Sequence, residues 1–425
     1  MKVDKHNINK IILFMRYIKG CILLICVFFM SCGGSRTAQI WTDRPEFAIY
    51  SEYFNTTQND YKVSIKYYEF PAEELKKSFN NPPDIIVGSW LKNSLTETSF
   101  KTLNNLFGKN KLAEADFYPR LLAIGKIDKD QFLLPVSFNI PALIFSRERD
   151  HELSNSFTID FNEIKKLSKS FNAETRGTYT HMGFSPLWSD DFLLTAAIMS
   201  GASFREAMPL AWDAAALESS LEALYNWTKE INTNYQAEED FTFKYFFEPP
   251  EKLILSGRIL FSYMESRNLF TLGSDAKNNL DFRWIIEQNR VPITEDILLM
   301  GIPKKAKSQK AARAFIQWFF KSENQKLLLE HSKSNRISEN IFGISGGFSS
   351  LNPVTELIFP RFYHELLGRM PPSEYFMPPN ILPANWIAMK ERVVLPYLHD
   401  RARKETTDDT YPLERRLSDW MRINR

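Results

Sequence analysis

The sequence predicts an α/β protein of more than one domain, with a helix-flanked sheet leading through a hinge into a second unit. Three observations carry this expectation. Strand and helix patterns alternate through residues 38–87, and an apolar, extended run from Gln131 to Ser146 is punctuated by Pro135 and Pro141. Beyond a more polar stretch, helical periodicity returns and leads into three further strands.

The elements follow in order. Ala38 to Thr42 (AQIWT) reads as a short buried strand, and Glu46 to Phe54 as a helix that buries Phe47, Tyr50 and Phe54. Tyr61 to Tyr67 alternates, with Val63, Ile65 and Tyr67 on one face. Ala72 to Phe79 is a short helix, stopped by Pro82-Pro83 before the strand Asp84 to Val87. Such a β-α-β-α-β order calls for a parallel or mixed sheet with right-handed crossovers. In QFLLPVSFNIPALIFS the prolines cannot donate to a ladder, so they mark a hinge crossing where the chain changes direction or sheet. Residues 147–180 enter the second domain, with a helical pattern at Phe161 to Ser168. Asp191 to Ser200 and Ala214 to Ile231 read as core-facing helices, the latter carrying Leu217, Leu221, Leu224 and Thr228 at 3.6 spacing. Arg258 to Met264, Phe282 to Glu287 and Ile297 to Ile302 read as strands. Ser308 to Phe320 reads as a helix striped by Ala311, Ala314, Phe315, Trp318 and Phe319. The rest is expected to be mainly helical, ending in the charged stretch Asp400 to Arg425.

Composition excludes several classes. With 44% hydrophobic residues the 425-residue chain is far too apolar for disorder. Its 53 Lys and Arg against 51 Asp and Glu lack the positive excess that a phosphate backbone demands, so nucleic acid is not an expected partner. Residues 1–31 hold five of those bases and one of the acids, which leaves 48 against 50 in the remainder, a weakly acidic body.

That first segment has the order of an export signal: a basic stretch, the apolar run Cys21 to Met30 (CILLICVFFM), then Ser31, Cys32, Gly33 and Gly34. Ten helical residues rise only about 15 Å, half of a ~30 Å hydrocarbon core, so removal is expected rather than a permanent span. Phe29-Met30-Ser31-Cys32 resembles a bacterial lipobox, although Phe29 and Met30 are bulkier than its usual residues. The resemblance implies that Cys32 becomes an acylated first residue and ties the protein to a lipid bilayer. Cys21 and Cys26 fall in the removed segment, so no intramolecular disulfide is expected.

The order and spacing of AQIWTDRPEF, PPDIIVGSW, LPVSFNIPALIFSRE, LWSDDFLLTAAIMSGASF, LILSGRILFSYMES and LLMGIPKKAKSQKAARAFIQWFFKSENQK resemble the family 1 extracellular solute-binding proteins. This is the maltose-binding type that serves ABC importers. The last segment is the most diagnostic, with a strand, a Gly-x-Pro turn and a Lys/Ser-rich loop before an Ala-rich helix. The resemblance implies a two-lobed periplasmic-binding-protein-like II fold, each lobe a mixed β-sheet flanked by helices. After a signal at 1–31 and a tether at 32–37, lobe 1 would take 38–140 plus about 285–335, and lobe 2 would take 141–284 plus about 336–425. It further implies a monomeric receptor facing the periplasm or outer side, without cofactor, metal or catalysis. Such a receptor captures a small polar solute, a sugar or oligosaccharide first, between its lobes and delivers it to ABC permease subunits.

Carried over position by position, the cleft residues would be Thr42, Asp43 and Arg44, Ser89 and Trp90, Asn139, Trp188, Glu265 and Ser266, and Trp386. Trp90, Trp188, Trp386 and Tyr263 would stack on sugar rings. Each has a plainer alternative. Trp188 and Trp386 fit a core equally well, Asp43 and Arg44 fit a solvated surface pair, and Trp212, Trp227, Trp284 and Trp318 read as core. A different class of function, a surface lipoprotein that adheres to macromolecules without a closing cleft, shares the same anchor. Gly343-Ile344-Ser345-Gly346-Gly347 matches a hydrolase nucleophile elbow in letters, but the polar residues before it and Phe348 to Pro353 after it supply no strand-turn-helix context. The six histidines are too dispersed for a metal pair at helical spacing.

Overall fold

Apolar runs with short, well-placed breaks give strands buried on both faces. The computed structural model describes residues 36–403 other than Phe79 and Pro209, together with residues 411–423. The export signal, Cys32 and most of the tether lie outside the described residues, as does the last residue of the expected helix Ala72 to Phe79.

In chain order the strands that matter are β1 (Thr37–Thr42), β2 (Lys62–Tyr67), β3 (Ile85–Gly88), β4 (Leu133–Phe138), β5 (Pro141–Ser146), β6 (Thr158–Ile159), β7 (Ser262–Glu265), β8 (Leu280–Ile285), β9 (Leu298–Gly301) and β10 (Phe348–Ser349). They form two mixed sheets. The larger runs β10-β4-β9-β3-β1-β2, with β1 parallel to β2 and β3 and with β9 antiparallel to β3 and β4. The smaller runs β7-β5-β8-β6, antiparallel except for the β8–β6 pair. Each sheet anchors one lobe.

The helix Phe47–Thr57 buries Phe47, Tyr50 and Phe54 as the periodicity predicts. Those rings pack against Phe315, Trp318 and Phe319 of the helix Gln309–Phe319, edge-on, tilted or stacked at 5.3–6.4 Å. Each such ring contributes roughly 1.5–3 kcal/mol through burial. The predicted helices at 161–168, 191–200 and 214–231 form at Phe161–Phe171, Asp190–Met199 and Ala214–Ile231, each begun by an Asp or Ser side chain that accepts an amide of the first turn.

Alternation along β5 explains how the lobes share chain but not core. Ala142 and Ile144 face the core that fills the larger sheet's lobe, while Leu143 and Phe145 face a second core built with Phe192, Trp227, Phe261 and Trp386. The chain crosses between sheets three times: at Asn139 and Ile140, between β8 and β9, and after β10. Val291–Pro292 in the second crossing pairs in parallel with Phe376–Met377 in the third. The crossings are therefore one bundle rather than separate threads.

Two expectations differ in detail. The strand expected from Arg258 begins only at Ser262, because Arg258, Leu260 and Phe261 spend their backbone groups on Met182 and Gly183. Nor is the region after 345 mainly regular helix. Pro353, Pro360, Pro371, Pro372, Pro378, Pro379 and Pro383 remove donors and break it into short turns, and longer helical runs resume at Trp386, passing through Lys390–Val394 into Leu395–Arg403, and at Leu413–Ile423. Among the described residues no helix is long and apolar enough to cross a membrane.

Candidate functional site

The residues that follow the parallel strands converge on the hinge. β1 ends in Thr42, whose hydroxyl accepts the Arg44 amide at 3.0 Å and turns Asp43 and Arg44 away from the sheet. Their side chains form an ion pair at 3.4 Å without hydrogen-bond alignment, so Asp43 Oδ1 and Arg44 Nε are both buried without a hydrogen-bond partner. Strand ends of a parallel sheet are where such loops form a crevice.

From the other side come the end of β7 and the second crossing. Arg267 Nε donates to Glu265 Oε2 at 2.8 Å, and its Nη2 bonds Asp296. Thr294 donates to Asp296 Oδ1 at 2.8 Å, and Ser89, following β3, donates to the Asp296 carbonyl at 2.8 Å. One step further, Lys390 reaches Glu295 at 2.7 Å and Asp191 at 3.5 Å, while Tyr263 shares a hydrogen bond with Thr195 at 3.1 Å. The gap left among Tyr263, Glu265 and Thr294 is only about 20 Å3, room for a single water.

Burial sets the electrostatics here. It raises the carboxyl pKa of Asp43 and of Glu46, each only partly offset by Arg44. It also raises Glu265, against the pull of Arg267 and with the help of Asp296, Glu295 and Asp191. Asp296 goes the other way: burial opposes its charge, but Arg267 and Arg44 overcome that and hold its carboxyl well below the usual range. Lys390 is likewise held protonated by Glu295 and Asp191 despite its burial.

Of the residues expected in a cleft, Asp43, Arg44, Ser89, Tyr263 and Glu265 gather in this polar cluster. Trp90 leaves β3 with a left-handed φ of 56° and lies against the second lobe's core, its indole nitrogen buried and unpartnered. Thr42, Asn139 and Ser266 border the cluster, but their polar groups are already occupied. Asn139 donates to the Gly346 carbonyl at 2.9 Å, accepts from Ser266 at 2.6 Å, and accepts the Thr294 amide on its own carbonyl. Trp188 and Trp386 are not brought in. Trp188 stacks on Phe241 at 5.8 Å and donates to Thr242, whereas Trp386 is wholly buried beside Phe204 in the second core.

The structure adds residues that the position-by-position carry-over did not name: Arg267, Thr294, Glu295, Asp296, Lys390, Asp191 and Glu46. Their local signals were ordinary charged residues, with one threonine, in loops and helix ends. Only their separation along the chain, which the fold closes, makes them a group. A cavity of about 640 Å3 lies elsewhere, between Thr271, Ser274, Lys277, Lys333, Asn340 and His364, and contains none of the expected residues. Ser345 sits in a tight turn with φ 51°, its amide donating to the Tyr50 hydroxyl, where Gly343 and Ile344 bridge back to Gly347. That turn does not offer the exposed nucleophile of a hydrolase elbow. Among the described residues no three His, Cys, Asp or Glu side chains gather as metal ligands.

Comparison with known proteins bears on both fold and family. The model of a family described as bacterial extracellular solute-binding protein matches residues 50–337. No curated protein matches the chain in sequence. The structure is similar to that of the sugar-binding protein MalE of Xanthomonas citri, at a TM-score of 0.64 and 12% identity over 91% of this chain and 96% of that one. It is similar to the GacH receptor of Streptomyces glaucescens, described unliganded and in complex with acarbose, at 0.59 and 13% over 91% and 97%. The cyclic alpha-maltosyl-1,6-maltose binding protein of Arthrobacter globiformis gives 0.59 and 15% over 91% and 97%. At such identities the likeness speaks for the two-lobed fold.

Proposed function

The chain belongs to the bacterial extracellular solute-binding proteins, and from that membership we propose that it captures a sugar or oligosaccharide between its lobes and hands it to an ABC permease. The observation that carries this reading is the convergence at the hinge of polar groups from both lobes: Asp43, Arg44 and Ser89 from one, and Tyr263, Glu265 and Arg267 from the other. Buried polar atoms without hydrogen-bond partners, at Asp43, Arg44 and Trp90, suit a ligand rich in hydroxyls. The cavity beside Tyr263, Glu265 and Thr294 holds only about 20 Å3, so a sugar enters only if the lobes part, and the bundled crossings supply the hinge for that motion. The similar folds that bind saccharides add support of the same kind.

Scattering and thermal unfolding of the protein with a panel of mono- and oligosaccharides test this together. A sugar at about 100 times its dissociation constant should add about 2.7 kcal/mol of apparent stability and change the radius of gyration. Silence across saccharides of several linkages overturns the reading.

Anchoring belongs to the same proposal. Cys32, following the apolar run, would be acylated and hold the receptor on the outer side of the membrane. Labelled palmitate should enter the wild-type chain and not Cys32→Ser, which should leave the membrane fraction. Equal labelling of both removes the anchor from the proposal.

A further inference from the structure

The cavity of about 640 Å3 outside the hinge cluster is built from three stretches far apart in sequence: residues 271–277 after β7, the end of the helix Ser322–Ser334 with residues 338–340 beyond it, and residues 362–365 after β10. Its inner wall is held in place. Tyr363 is buried and its hydroxyl accepts the Gly343 amide at 2.9 Å, while the Lys277 ammonium donates to the Phe270 carbonyl at 2.7 Å. Among the described residues neither Lys277 nor Lys333 lies in an ion pair, so each keeps donors for a guest. The side chains of Ser274, Ser338, Asn340 and His364 likewise make no hydrogen bond among the described residues. Leu272, Leu329 and the half-buried ring of Phe362, with Lys333 Nζ 5.8 Å from the ring centre, give the walls an apolar share. Both signs of charge face the hollow, because Glu339 and Glu365 stand opposite the two lysines and counter the desolvation that lowers the pKa of Lys277.

We propose that this cavity is a second saccharide site, separate from the cleft, that takes a neutral di- or trisaccharide with one ring against Phe362 and hydroxyls on Lys277, Asn340 and Glu365. The chemistry of the walls selects that class. A wholly apolar guest would leave the free donors and acceptors unmet, and an ion of either sign would meet its own charge as well as its opposite. A sugar offers hydroxyls that both donate and accept, together with a flat C–H face for an aromatic ring. The volume falls within the roughly 300–1,000 Å3 of small-molecule sites. Ser274, Lys333, Asn340 and His364 are exposed around it, so a sugar reaches this site without the lobes parting, as it does not reach the cavity of about 20 Å3 beside Tyr263. The inference rests on the sugar-receptor reading above for the class of solute and adds a place where that solute is held.

Calorimetric titration of the detergent-solubilised full chain with maltotriose and with cellotriose tests it. One of these should bind at two sites per chain. Lys333→Ala combined with Asn340→Ala, both exposed positions, should weaken one site at least about tenfold, leave the other unchanged and keep the melting temperature of the unliganded protein. Ser274→Trp, which fills the hollow instead of stripping its donors, should do the same, and Asp43→Ala combined with Arg44→Ala should remove the other site. A single site that both hollow variants leave intact overturns the inference and leaves the receptor reading standing. Two sites that neither variant changes overturn the placement in this cavity. A single site lost in the hollow variants and kept in the Asp43 and Arg44 variant upholds the inference and overturns the cleft. Marked weakening of the hollow's site by added salt overturns its neutral class. Silence of both trisaccharides overturns both readings.

Discussion

Ser266, at the end of the second lobe's edge strand, donates its hydroxyl to Asn139 Oδ1 at 2.6 Å, across 127 positions of sequence. The same Asn139 holds Gly346 beside the first lobe's edge strand and Thr294 in the second crossing. One side chain thus ties together the segments around which the lobes would turn, and both residues serve the hinge with the polar groups a ligand would have used.

Asn139→Ala should accordingly behave as a hinge lesion. It strands the Gly346 carbonyl and removes the Ser266 acceptor, each worth about 1–3 kcal/mol when buried. We expect a loss of about 2–4 kcal/mol in thermal unfolding and a broader distribution of radii in scattering. An unchanged melting temperature would mean that the crossings hold without it.

Across the jaws, the Ser94 amide and hydroxyl donate to the two carboxylate oxygens of Glu206 at 2.6 and 3.1 Å. The pair is exposed, so its worth is small, about 1 kcal/mol. Because it joins the lobes only when they are together, Glu206→Ala should weaken solute affinity by up to about fivefold and leave the melting temperature of the unliganded protein within a degree or two. A fall in stability with unchanged affinity would argue that the bond is structural.

Glu238 is 2% exposed and accepts from Asn232 at 2.6 Å, and burial pushes its carboxyl up from 4.5 to about 7. Below pH 4.5 it is protonated whether folded or unfolded. As pH rises toward 7 the unfolded chain releases the proton first, so the folded state loses stability over that window. Glu238→Gln should therefore raise stability by on the order of 2–3 kcal/mol at pH 8 and change little at pH 4. Unfolding temperatures measured at both pH values check this, and parallel shifts at the two would contradict it.

Gly183 and Gly257 separate two reasons for glycine. A Cβ on Gly183 would lie 2.3 Å from the Ser168 Cα, where the helix Phe161–Phe171 crosses the chain, so Gly183→Ala should cost more than about 3 kcal/mol or prevent soluble expression. Gly257 has φ +72° and open space around it, and Gly257→Ala should cost only about 1 kcal/mol. Denaturant titration of the two variants distinguishes them, and similar losses would refute the packing argument.

Much of the fold was legible before any coordinates, because alternation and 3.6 spacing are local and the prolines of QFLLPVSFNIPALIFS announce a change of sheet. The resemblance to solute-binding proteins, carried over position by position, is what reached Asp43, Arg44, Ser89, Tyr263 and Glu265. Aromatic residues misled, since Trp386 and Trp188 satisfy burial as readily as recognition, and a sequence does not say which face a ring meets. The region after 345 departs from the helix expected there because its prolines remove backbone donors.

What the chain determined by itself was its class: burial patterns, helix starts and breaks, and a hinge, all set by interactions between near neighbours. What only the tertiary structure decided was the site's charge. Asp43, Asp191, Arg267, Asp296 and Lys390 are commonplace residues far apart in sequence. They become electrostatic neighbours only when two sheets and three crossings bring them together, where Coulomb interaction and desolvation begin to govern them.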